Sequence, residues 1–318
     1  MGFPLLSTSH GSEVTSNPTV RTVLLNRAKT KSKRGNRADN FHLSMVIECG
    51  GMRGVVAAGF VQTFAQNGLL DCFDTVHGSS SGACAAAYFL AEQSEEGRRI
   101  YLEDICSRTV VNPFGWFTQP CMVDTDYIVD EVFAKKRRLN VEKIISEPTV
   151  LNIVTTSVAD GVAIVHKNFR TADQVLLALK ATLRVPGLFE PGILIQERRH
   201  LDGGIAAPVP IFSAVEAGAT HILVICTQRE QDYAAFDKGG VLEGMFLGIR
   251  YGPRLRASYM RNHNLRSHVD VPSSVRIEQL IRPAQGTRCR WYTTEKSTLE
   301  KVEQEAINVA KAYLLQGQ

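Results

Sequence analysis

The run His77-Gly78-Ser79-Ser80-Ser81-Gly82 constrains the fold of this chain more than any other stretch. A short β-prone segment, Phe73 to Val76, leads into Gly-x-Ser-x-Gly. The small residues Ala83-Cys84-Ala85-Ala86-Ala87 that follow suit a helix packed tightly on a sheet. The pattern is that of a nucleophile elbow, in which the chain reverses between strand and helix and presents the central serine, Ser80, above the sheet. Gly78 and Gly82 fit because a Cβ at either flank would meet neighbouring backbone. Taken alone, the pentapeptide reads equally well as a Gly/Ser helix-entry turn. The rest of the chain decides between the two.

Leu43 to Glu48 reads as a buried strand that breaks at Cys49-Gly50-Gly51-Met52-Arg53-Gly54 and passes into the apolar helix Val55 to Phe64. That order aims a cluster of backbone N–H groups at an anion. Helix is expected again from the elbow to about Ala91 and, after a charged turn around Glu95 to Gly97, on to about Cys106. An aromatic stretch from Val111 to Met122 reads as a packing loop or a pocket rim, and Tyr127 to Phe133 as a short helix. Thr149 to Val158 is a strong β run, answered by Gly161 to His166 after an Asp-Gly turn. Thr171 has capping-box spacing to Gln174 and opens a helix that Pro186 ends near Val185. Ile193 to Ile195 and Arg199 to Leu201 are extended pieces that end on Asp202-Gly203-Gly204. Ile211 to Ala217 predicts a helix, and His221 to Cys226 and Val275 to Ile281 predict strands. A final helix is expected to open at Ser297, with Glu300 three residues on.

Strands alternating with helices, with no linker-like stretch after residue 40, predict a single α/β domain over 41–318. It divides into a motif core, 43–230, and a helical C-terminal region, 231–318. Residues 1–40, rich in Ser, Thr, Asn and basic side chains, read as a flexible basic arm in which only Val20 to Leu25 suggests order.

With 44% apolar and 21% charged residues among 318, the chain can bury a real core. No apolar run reaches the roughly 18 residues that span a bilayer, so a soluble, cytoplasmic protein is expected. The seven cysteines lack metal-ligand spacing and read as reduced thiols; no metal or cofactor is expected. A net charge of +4 gathers in clusters, among them Lys135-Lys136-Arg137-Arg138 and the arginines 250, 254, 256, 261 and 266. Such clusters read as solvated surface or as a means of transient, peripheral attraction to an anionic membrane. Aromatic interleaving that would stack bases is missing, which argues against nucleic acid as a partner.

Three glycine-punctuated turns thus stand at strand ends, and in an open α/β sheet such ends gather catalytic groups. Ser80 supplies a nucleophile. Asp202, held by two following glycines, is the candidate base. The N–H groups of Gly50, Gly51 and Met52 are the candidate oxyanion donors. Arg53 is either a helix-start residue or a contact for a lipid phosphate.

At these residues the sequence resembles the patatin-like phospholipases. The family's Gly-rich loop, elbow and later Asp-Gly-Gly appear here as Cys49 to Gly54, Gly78 to Gly82 and Asp202-Gly203-Gly204, in the family's order. Ala181 to Pro191 is similar to the family's proline-bearing loop, and Pro208-Val209-Pro210 is also typical of it. The resemblance covers about residues 43 to 230 and is strongest to the small bacterial branch with a helical tail. It implies a three-layer α/β/α fold with a mostly parallel sheet, and a Ser80–Asp202 dyad that hydrolyses acyl esters of lipids without a histidine.

Cys49 stands where the family usually has glycine, which leaves open a binder of anionic lipid or phosphate that keeps the fold without turnover. Acyl transfer to an alcohol shares the same acyl-enzyme. A conventional triad would need a histidine after the acid, from among His221, His263 and His268. His77 and His200 lie nearer the motifs and read as packing groups. Which acyl ester is taken, and in what oligomeric state, the sequence leaves open.

Overall fold

The computed structural model describes residues 17–113, 122–187, 190–234, 238–264 and 271–315. Every residue of β1 (Leu43–Ile47) and β2 (Thr75–Ser79) is buried. Strands covered on both faces belong in the middle of a sheet. Around them run β3 (Val150–Ser157), β4 (Ala163–His166), β5 (Ile193–Ile195), β6 (Arg198–Leu201), β7 (His221–Arg229) and β8 (Arg276–Arg282). The strand order is β5-β6-β3-β2-β1-β7-β8, and β4 pairs with β3. From β3 to β8 all neighbours are parallel, whereas β3 meets β4 and β6, and β6 meets β5, antiparallel.

This register decides where the chemistry can meet. Ser79 is level with Val154 on β3, so Ser80 leaves the sheet level with Thr155. Leu201, at the end of the opposed strand β6, is level with Thr156, so Asp202 arrives at the same height from the other direction.

The helices are α1 (Val20–Lys29), α2 (Gly54–Gln66), α3 (Ser81–Leu90), α4 (Ser94–Arg99), α5 (Val141–Ser146) and α6 (Ala172–Thr182). Beyond these lie α7 (Ile211–Glu216), α8 (Lys238–Tyr251), α9 (Pro253–Asn264) and α10 (Lys296–Leu315). Alternate residues of β1 face opposite ways. Met45 and Ile47 join the core built with α2, α3, α6 and α10, while Val46 packs with Ile211 and Ala214 of α7. Helices therefore cover both faces of the mostly parallel sheet, as the sequence predicted.

Three local expectations are corrected. Residues 17–40 are no detached arm: α1, capped by the Thr19 hydroxyl, buries Val20, Val23 and Leu24. Arg27 on its inner face is only 1% exposed. Its guanidinium donates to Asp39 at 2.7 and 2.9 Å, to Asp74 at 2.7 Å, and to the carbonyls of Phe41 and Cys72 at 2.6 and 2.7 Å. A basic residue amid polar neighbours looks like arm in sequence because its acidic partners are distant in the chain. Glu95 to Gly97, expected as a turn, lies within α4, where acidic residues in the first turn and arginines in the last complement the helix dipole. Finally, α10 starts one residue before Ser297, and the Glu295 carboxylate, not the Ser297 side chain, takes the Thr298 hydroxyl at 2.8 Å. The aromatic residues 114–121 of the Val111 to Met122 stretch lie outside the described residues.

Candidate active site

Ser80 sits between β2 and α3 with φ 52° and ψ −130°, a left-handed backbone that non-glycine residues rarely adopt. Its surroundings enforce that conformation. A Cβ on Gly78 would stand 2.5 Å from the Ala83 nitrogen, and one on Gly82 would stand 2.5 Å from the Ile47 carbonyl oxygen. The turn thus closes only with glycine on both sides. The Ser80 N–H donates to the Thr182 hydroxyl at 2.8 Å, and that hydroxyl in turn donates to the Val154 carbonyl. The Ser79 hydroxyl ties the turn to the Ala207 carbonyl at 2.6 Å.

The Ser80 hydroxyl donates to Asp202 Oδ2 at 2.7 Å. The other carboxylate oxygen accepts the Gly204 N–H at 2.7 Å, and the Asp202 carbonyl accepts the Thr156 hydroxyl at 2.7 Å. Burial pushes the Asp202 carboxyl up from its ordinary 3.8 to about 6; the two hydrogen bonds oppose the rise and the charge of Glu243 adds to it. Such a group is mostly ionised at neutral pH and still basic enough to accept a proton. Gly203 leaves no room for a side chain, since a Cβ would lie 2.1 Å from the Val154 carbonyl oxygen. A Cβ on Gly204 would meet the Cys49 sulfur at 2.8 Å.

The Gly-rich loop after β1 is held from below by Glu48, fully buried, whose carboxylate accepts the Thr227 N–H at 2.6 Å and the Gln228 side-chain amide at 3.0 Å. The Thr227 hydroxyl donates to the Cys49 carbonyl at 2.8 Å. Cys49 is outside the left-handed region, whereas Gly51, at φ +55°, is in it. The departure from glycine at Cys49 therefore carries no backbone strain. Among the described residues the N–H groups of Gly50 and Gly51 donate no hydrogen bond. Met52, expected as a third donor, gives its N–H to the Trp291 carbonyl at 2.7 Å. The loop thus offers two N–H groups, because the segment before α10 crosses it. The Arg53 Nε is buried without a hydrogen-bond partner, and Arg53 borders the cavity above Ser80.

That cavity, about 150 Å³, is walled by Cys49, Gly51, Pro186, Glu243 and Tyr259 besides Ser80 and Asp202. A second, almost wholly apolar chamber of about 40 Å³ adjoins it, sharing Gly51, Val123, Leu183 and Trp291.

No described histidine touches Ser80 or Asp202. His77 is fully buried between Ser213 and Thr75, each 2.8 Å away, and burial pushes it down to about 3, so it stays neutral. His200 meets Thr155 at 2.8 Å, and His221 reaches the Pro18 carbonyl at 3.0 Å. The His263 side chain and His268 lie outside the described residues.

The sequence matches the family model for patatin-like phospholipase over residues 45–215, more than half of the chain. The chain belongs to this family. Among curated proteins it is 24% identical over 198 residues to the uncharacterized protein YjjU of Escherichia coli strain K12, covering 60% of this chain and 53% of YjjU. The match thus spans about half the length of that relative. Among solved structures it is similar to VipD from Legionella pneumophila, with 11% identity and a TM-score of 0.42, covering 89% of this chain and 69% of that one. It is similar also to the type III effector protein ExoU, with 11% identity and a TM-score of 0.40, covering 87% and 53%.

Within the family frame, the structure sets Ser80 of the elbow against Asp202 of the Asp-Gly-Gly turn, and Gly50 and Gly51 of the Gly-rich loop line the same cavity. Thr182, Glu48, Glu243 and Trp291 were not singled out beforehand. Glu48 directly precedes the loop, so an acidic residue at the end of an apolar strand was the available signal. Thr182 sits in an otherwise ordinary helix end, and Trp291 lies more than two hundred residues from Met52; neither carries a local signature.

Proposed function

We propose that the protein is a serine hydrolase of lipid acyl esters, of phospholipase A or esterase type, working through a Ser80–Asp202 dyad and an acyl-enzyme. The reading rests on the 2.7 Å hydrogen bond from the Ser80 hydroxyl to a buried carboxylate that titrates at about 6. In the first step Oγ attacks the ester carbonyl while its proton passes to Asp202 Oδ2. The oxyanion takes the N–H groups of Gly50 and Gly51. These donors lie in a fixed, partly desolvated cleft, where removing one such donor typically costs on the order of a hundredfold or more in rate.

Asp202 then returns the proton to the departing alkoxide, and the same carboxylate activates the water that releases the acid. The apolar chamber beside the cavity is suited to the acyl chain. Arg53, with its unpartnered Nε, is suited to a phosphate.

Labelling by a fluorophosphonate, lost in Ser80→Ala, tests the nucleophile. Product analysis on a mixed lipid panel, wild type beside Asp202→Asn, tests the base and identifies the bond cleaved. A folded protein that takes no label, or an Asp202→Asn variant that turns over like wild type, refutes the dyad.

A further inference from the structure

The hairpin α8–α9 forms one wall of the catalytic cavity. Its inner side carries Leu247, Leu255 and Tyr259, which pack with Leu201 and Ile205, and Tyr259 and Glu243, joined at 2.8 Å, face the cavity. Its packing needs are met on that side. Yet α8 also exposes Val241 (42%), Leu242 (66%), Met245 (47%) and Ile249 (87%). These positions fall within one stripe about 100° wide on the helix. A soluble helix has no folding reason to carry such a stripe outward, and contiguous exposed apolar surface marks an interaction site.

The charge on the same face has one sign. Between residues 240 and 262 every exposed residue is either apolar or an arginine: Arg250, Arg254, Arg256 and Arg261. Arginines elsewhere, such as Arg137, Arg184 and Arg282, are held by carboxylates. Among the described residues Arg254, Arg256 and Arg261 form no ion pair. The stem of Arg256 crosses α8 at Gly248, where a Cβ would be 2.9 Å from its Cδ, and this sets a cation beside the apolar stripe.

From this we infer that the outer face of α8–α9 is a docking surface for an anionic lipid bilayer, with the stripe of α8 entering the acyl boundary and the arginines engaging headgroup phosphates. An amphipathic helix with apolar residues on one face and cations beside it binds an interface in this way. A second copy of the chain fits poorly, since a two-fold contact through this face would set arginine against arginine. The docking rests on the proposed lipid hydrolase reading in one respect: the hairpin that would meet the membrane also supplies Glu243 and Tyr259 to the wall of the cavity that holds Ser80 and Asp202.

The test uses the full chain carrying Ser80→Ala, so that binding is read without turnover. It is sedimented with phosphatidylcholine vesicles with and without phosphatidylglycerol. Binding to the anionic vesicles is expected, weakened by salt. Arg254→Gln with Arg261→Gln should lower it about twenty-five-fold, at about fivefold for each cation removed. Leu242→Asp with Ile249→Asp should abolish it, and in a chain that retains Ser80 the same pair should leave hydrolysis of a short soluble ester unchanged. Absent binding, equal binding to neutral vesicles, or binding unaffected by either pair overturns the proposal. So does a change of sedimenting mass without vesicle binding, which would mark the face as a self-contact. Absence of ester turnover in the chain that retains Ser80, with vesicle binding intact, would instead refute the hydrolase reading and leave the docking surface standing.

Discussion

Asp202→Asn should inactivate the protein and stabilise it at the same time. The Asp202 carboxyl titrates at about 6 in the fold, against an ordinary 3.8, because burial disfavours its charge. Between those two values the native state holds a proton that the unfolded chain has released, so stability falls as pH rises through the window. At ~1.4 kcal/mol per pH unit the loss amounts to ~3 kcal/mol above about pH 7. Asparagine has the same shape and no charge. Its carbonyl oxygen can still accept the Gly204 N–H, and its amide can donate to the Ser80 oxygen.

The variant should therefore match wild type near pH 4 and exceed it by ~3 kcal/mol near pH 8, while turnover drops by on the order of a hundredfold or more. Urea unfolding of both proteins at the two pH values measures this, and the difference between them cancels groups that titrate alike in each. Glu303, which burial pushes up to about 7, is one such group. A stability difference independent of pH, or an asparagine variant less stable than wild type near pH 8, would refute the assignment of a desolvated, charged Asp202.

Hydrolysis of a soluble ester by wild type should rise with pH through about 6, following ionisation of Asp202; a rate already at its plateau near pH 4 would contradict that. Thr182→Val removes the acceptor of the Ser80 N–H and the donor to Val154, and should cost ~1–3 kcal/mol of stability in urea unfolding, with a fall in kcat and little change in KM. Gly82→Ala drives a methyl group to 2.5 Å from the Ile47 carbonyl oxygen, so it should yield insoluble protein or none of the fluorophosphonate label. Arg27→Met leaves Asp39 and Asp74 without their shared cation and should destabilise by ~3–5 kcal/mol in urea unfolding, although α1 is far from the dyad in sequence.

The site was legible in the sequence wherever close backbone approach demanded glycine. Gly78, Gly82 and Gly203 are fixed by carbonyls or amides closer than a side chain allows, and such constraints leave their mark on the residue itself. The same holds for strands buried on both faces, whose apolar runs need no partner to be recognised. What could not be read depends on partners brought together only by folding. The Arg27 cluster gathers Asp39 and Phe41 from one segment and Cys72 and Asp74 from another. The Gly-rich loop gives up one of its three N–H groups, that of Met52, to a carbonyl at position 291. In each case the deciding atom is main-chain or ordinary in type, and its identity says nothing of where it will lie.

One consequence of the strand order bears on how far this chain could be trimmed. The family match stops at 215, yet β1 pairs on one side with β7, which begins at His221. A fragment ending at 215 would leave β1 with a raw, unpaired border of strongly apolar strand, and such borders recruit copies of themselves. It would also lose the Trp291 wall between the two chambers. The smallest piece able to keep that border covered and its pocket shape intact therefore reaches well past the motifs that identify the family.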